Sequence, residues 1–148
     1  MRGTECPCSI GRPRSPHTPH PDRARDRRRD LAAIDVAQFE KLEAQFKSKK
    51  ASEPGSPEAR IGLAVLYWER AYRDAALADV QKREYLTLGL QEVEVALQAN
   101  PRDAQALTYK GLILRTQATL EPDPEKQQAL VSEADKLRAQ AIRLRNQK

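Results

Sequence analysis

The residues whose types could do chemistry gather near the N-terminus. Cys6, Cys8, His17 and His20 are of the kinds that ligate zinc. Their C-x-C and H-x-x-H spacing lacks the usual zinc-knuckle separation and has prolines between, so no metal or other cofactor is expected. Arg23, Arg25, Arg27, Arg28 and Arg29 form a dense cationic run able to meet nucleic acid or acidic lipid. No aromatic residue is interleaved to stack on bases, which makes nucleic acid the lesser expectation. Glu58, Glu69, Asp74 and Asp79 are spaced carboxylates, but the alternation in Glu69-Arg70 and Arg73-Asp74 is that of a solvated helix face. From Leu31 onward there is no His, no Cys, no Gly-rich phosphate loop and no nucleophile-elbow serine. A non-catalytic protein is therefore expected.

The elements that would position such residues follow from composition and punctuation. The 148 residues are 39% apolar, 5% aromatic and 32% charged, the balance of helices that each bury one stripe. Residues 1–30 hold eight arginines against Glu5, Asp22, Asp26 and Asp30, so most of the net charge of +5 belongs to them. They also carry five of the ten prolines and little apolar surface, and a disordered Arg/Pro-rich tail is expected over 1–30. Its pattern-free composition also fits read-through from a wrongly chosen start. Two cysteines cannot build a disulfide framework, and no apolar run is long enough to cross a bilayer. As written the chain is expected to be cytoplasmic; a truncated segment of a larger bacterial envelope protein is the alternative, should the true start lie elsewhere.

Helical patterning begins near Asp35, with Val36, Phe39, Leu42 and Phe46 on one face. A turn at Ala51–Ser56 leads to Ser56 and Pro57 as N-cap and first position of the next helix, which carries Ile61, Ala64, Val65, Trp68, Ala71 and Tyr72 to about Leu77. Asp79 is placed to cap a helix running to Gln98, and Asn100-Pro101 stops it. Asp103 caps a fourth helix to Leu120, and Asp123 a fifth with Leu130, Ala134, Leu137, Ala141 and Leu144. The prediction is all-α, with about five helices.

Self-comparison gives a period of 47 residues: Leu42, Phe46, Pro54, Ala59, Ala64 and Tyr67 recur as Gly89, Val93, Pro101, Ala106, Gly111 and Leu114. The last helix aligns Leu130 with Leu86, Ala134 with Leu90 and Leu137 with Val93. With the spacing Gly89-x₃-Val93-x₂-Ala96-x₄-Pro101 and with Ala64 and Gly111 at the eighth helix-A position, residues 31–148 resemble the tetratricopeptide repeat (TPR) family. The period exceeds the ~34 residues usual there; the excess falls at Glu69–Arg83 and Thr116–Gln128, which lengthens both helices of a pair.

The resemblance implies an α-solenoid of antiparallel helix pairs acting as a protein–protein interaction scaffold. Its partner would be another protein's helix or peptide, held on the concave face lined by helix A. The matching positions form a groove of Glu58, Ile61, Val65, Trp68, Thr108, Leu112 and Arg115, with Trp68 as anchor. Ile61, Val65, Thr108 and Leu112 stand where chaperone-binding members clamp a carboxylate, so an apolar or amphipathic ligand is implied instead.

Overall fold

The structure, a computed structural model, describes the backbone of residues 21–148 and the side chains from Val36 onward, together with Gly3. It consists of α1 (Pro21–Ser52), α2 (Pro57–Arg73), α3 (Asp79–Ala99), α4 (Ala104–Leu120) and α5 (Pro124–Asn146), with no strand among the described residues. None of these helices is long and apolar enough to cross a membrane.

Short polar side chains set the helix ends. The Asp103 carboxylate accepts from the Gln105 and Ala106 N–H groups at 2.9 and 3.1 Å, satisfying two donors the first turn of α4 leaves open. Asp123 does the same for Glu125 at 3.0 Å, ahead of Pro124, whose missing N–H costs nothing there. Ser56 stands at the N-cap of α2 without a side-chain capping bond. Two boundaries differ from those expected. α2 ends at Arg73 rather than near Leu77, because Asp74 turns the chain by accepting from the Ala76 N–H at 2.9 Å. Asp79 is the first residue of α3, and Ala78 is its N-cap; Gln81 accepts from the Ala78 N–H at 3.2 Å.

α1 begins at Pro21 rather than near Asp35. The expected disordered tail of residues 1–30 thus has helical backbone over 21–30, while 1–20, Gly3 apart, lie outside the described residues.

Consecutive helices run antiparallel. Phe39 meets Tyr67 while Lys49 meets Glu58 across α1 and α2. Tyr67 meets Tyr85 while Arg60 meets Glu92 across α2 and α3. Arg83 donates to the Leu120 carbonyl while Lys110 meets Glu94 across α3 and α4. Gln127 donates to the Ala118 carbonyl while Arg145 reaches Thr108 across α4 and α5. Two reversals leave α2 and α4 side by side and parallel, with α3 packed on both.

The main core lies among α2, α3 and α4, around Ile61, Ala64, Leu86, Val93 and Ile113. A second cluster of Phe39, Leu63, Leu66 and Tyr67 docks α1. Full burial of each large side chain is worth roughly 1.5–3 kcal/mol. Small residues let the pairs close. A Cβ on Gly89 would sit 3.3 Å from the Ala64 carbonyl oxygen, and one on Gly111 3.3 Å from that of Ala134. The close approaches therefore fall at Ala64 with Gly89 and at Gly111 with Ala134. The α5 alignment needs correcting by one residue: Ala134 and Ala141 are buried where α3 buries Gly89 and Ala96, so Ala134 does not stand in for Leu90.

Candidate docking face

The adjacent parallel helices α2 and α4 place the predicted groove residues, and they divide it. Trp68 lies half-buried at the α2–α4 seam, where its indole N–H donates to the Thr116 hydroxyl at 3.0 Å. The Thr116 hydroxyl in turn donates to the Leu112 carbonyl at 2.8 Å. The Trp68 ring stacks on Tyr72, with centroids 5.2 Å apart and planes 16° from parallel, and meets Tyr109 edge-on at 6.1 Å. Trp68 therefore joins α2 to α4 and does not pack beneath α1.

Two clefts flank this seam. One, of about 670 Å³, is bordered by Glu58, Ile61, Val65, Glu69 and Tyr109. The other, of about 840 Å³, is bordered by Thr108, Tyr109, Leu112, Arg102 and Arg145. Asp103, Gln105 and Tyr109 border both. The structure thus brings Glu58, Ile61 and Val65 to one cleft and Thr108 and Leu112 to the other. Trp68 and Arg115 border neither. Ile61 is 5% exposed and belongs mainly to the core.

The polar members already have partners. Glu58 pairs with Lys49 of α1 at 3.0 Å, and this bond raises the Lys49 ammonium above its ordinary value. Thr108 donates to the Ala104 carbonyl at 2.7 Å. Arg115 turns away from the α2 side and pairs with Asp135 of α5. Below the face, burial and the Glu43 carboxylate raise the Tyr67 phenol far above its ordinary value, so it stays a hydrogen-bond donor. For Glu43 itself burial pushes upward, but the hydrogen bonds from Lys47 and Tyr67 and the Lys47 charge outweigh it and hold the carboxyl below its usual range.

The aromatic pair flanking Trp68 is the part sequence reasoning missed. Tyr72 fits the apolar stripe of α2 by spacing, four residues after Trp68, yet it is 65% exposed. Tyr109 recurs at Gly62 in the repeat alignment, where the Phe46 ring of α1 fills the space a Cβ would need. That exchange of ring for glycine was the available signal. The cationic run from Arg23 to Arg29 has helical backbone, but its side chains lie outside the described residues, as do Cys6, Cys8, His17 and His20. No cluster of His, Cys, Asp or Glu that could hold a metal occurs among the described residues.

No family model, curated protein or solved structure matches the chain. The geometry of the α2–α4 face is therefore the ground on which a function has to be argued.

Proposed function

We propose that the chain is a short tetratricopeptide-like helical repeat that binds a helix or extended segment of another protein on its α2–α4 face, without catalysis. The alternating antiparallel helices, the parallel contact of α2 with α4 and the small residues at both crossings support this reading. The observation that carries it is the aromatic row Tyr72–Trp68–Tyr109. Its outer member leaves most of a large apolar ring in water while stacked on a fixed tryptophan. Rigid aromatic anchors of this kind supply most of the affinity at peptide-binding surfaces. The centre of the face thus shifts from Ile61 and Arg115 to Tyr72 and Tyr109.

The test is selection of binders from a displayed random-peptide library on the full chain. Tyr72→Ala is expected to weaken the selected peptides roughly 10- to 100-fold, the loss of one anchor worth ~2 kcal/mol. Circular dichroism should be unchanged, since Tyr72 contributes little to the core. Binders indifferent to both Tyr72→Ala and Tyr109→Ala would overturn the reading.

A further inference from the structure

The larger of the two clefts is bordered by Arg102, in the turn before α4, and by Arg145, in the last turn of α5. Both guanidinium groups are met by neutral oxygens. Arg102 donates to the Gln147 side-chain carbonyl at 3.1 Å, and Arg145 reaches the Thr108 hydroxyl at 3.4 Å. Among the described residues neither is paired with a carboxylate. The one acidic side chain bordering this cleft, Asp103, is turned to the N–H groups of Gln105 and Ala106. Residues 136–148 carry five cationic side chains and no acidic one, so nothing along that half of α5 offsets Arg145. A carboxylate makes shorter and stronger bonds to a guanidinium than a neutral oxygen does, and on entering it displaces Gln147 and Thr108 with a net gain.

Beside these two cations the cleft offers the half-buried side chains of Tyr109, Leu112 and Leu144. The neighbouring cleft has the opposite sign, since its charged borders are Glu58, Glu69 and Asp103. A segment bearing carboxylates is repelled there and directed to the α4–α5 end of the face. Two cations beside a single ring make no track for a phosphate backbone with its regular charges and stacked bases, so a protein segment is favoured over nucleic acid. Both arginines lie outside the groove that the repeat positions imply.

We infer that the partner segment is acidic and amphipathic, seating its carboxylates on Arg102 and Arg145 and its apolar side on Tyr109, Leu112 and Leu144. This rests on the reading of the α2–α4 face as a docking face, with Tyr109 as the member common to face and cleft. Two displayed peptide libraries of equal apolar content, one with Asp and Glu at its charged positions and one with Lys and Arg, are selected on the full chain. The retained peptides are then titrated against variants. The intact chain should favour the acidic library. Arg102→Gln with Arg145→Gln should weaken its peptides about 10-fold, the effect of losing two solvent-exposed ion pairs. Arg102→Glu with Arg145→Glu should turn the preference toward the basic library. Both arginines are exposed, so circular dichroism should be unchanged in either double variant.

Peptides retained without charge preference, or indifferent to the arginine variants yet weakened by Tyr72→Ala or Tyr109→Ala, overturn the inference and leave the docking face standing. Acidic peptides indifferent to arginine and tyrosine variants alike are held elsewhere on the chain, and both readings fall. Both fall as well if neither library yields a binder. Acidic peptides weakened by the arginine variants but by neither tyrosine variant overturn the docking face and, with it, the amphipathic mode inferred for the cleft. A mixed-sequence single-stranded oligonucleotide that displaces the acidic peptides, and itself binds less tightly to the Gln variant, identifies a nucleic-acid cleft and overturns the inference.

Discussion

Where α2 crosses α3, Ala64 faces Gly89, and Tyr67, Leu86 and Val93 are buried around it. Where α4 crosses α5, Gly111 faces Ala134, and the only buried residues of α5 are Ala134 and Ala141. The first pair is also covered on its outer side by α1, and Glu92 gathers Lys50 of α1 and Arg60 of α2 at 2.6 and 3.0 Å. The second pair is held at its rim by Gln127 on the Ala118 carbonyl and by Arg115 with Asp135. Both pairs approach equally closely, but the first adds large buried side chains on α3 whereas α5 buries only alanines, so the second pair depends more heavily on the close approach itself. Close approach gains dispersion contacts along the whole crossing but tolerates no added bulk.

Substitutions can break or sharpen this contrast. Leu86→Ala removes a fully buried side chain from the first pair, and a loss of about 2–5 kcal/mol is expected in denaturant unfolding. Ala134→Leu attacks the second pair by overpacking against Gly111. It should cost about 1–3 kcal/mol and raise amide exchange in α5 ahead of α2 and α3, whereas a bulk-tolerant crossing would show neither.

The Glu43–Tyr67 bond, which ties α1 to the first pair at 2.8 Å, gives the next effect. Since Glu43 has a lowered folded value, its contribution is complete above the unfolded value near 4.5 and is lost as pH falls through the folded one. Glu43→Gln should therefore cost ~1 kcal/mol at neutral pH and much less in acid, read as a flatter stability–pH curve. Arg115→Ala should change stability by at most about 0.5–1 kcal/mol, because both charges of that pair stand well in solvent.

The parts of the fold legible in the sequence were those fixed by local chemistry. Asp103 and Asp123 must cap because each precedes an apolar run with no other oxygen in reach, and Asn100-Pro101 must turn. The end of α2 was less legible, since Asp74 competes with the helix through a turn that spacing does not reveal. The α5 register was misread by one residue because Leu130 and Leu137 drew the alignment, while burial falls on the alanines. At the face, periodicity placed Trp68 and Tyr72 together but could not say which ring the neighbouring helices would leave uncovered. Arg115 was expected in the groove because helix position fixes a direction only to within a turn, and Asp135 of α5 then drew it aside.

The order of contacts along the chain also bears on how it is made. Every helix leans on the one that follows it, and among the described residues the contacts that skip an element join α2 to α4 and, through Lys50–Glu92 and Phe39–Tyr85, α1 to α3. A nascent chain can therefore close α1 on α2, and α2 on α3, while α4 and α5 are still being synthesised. At each stage the waiting surface is one helix face wide, so little apolar surface is exposed to neighbouring chains during translation.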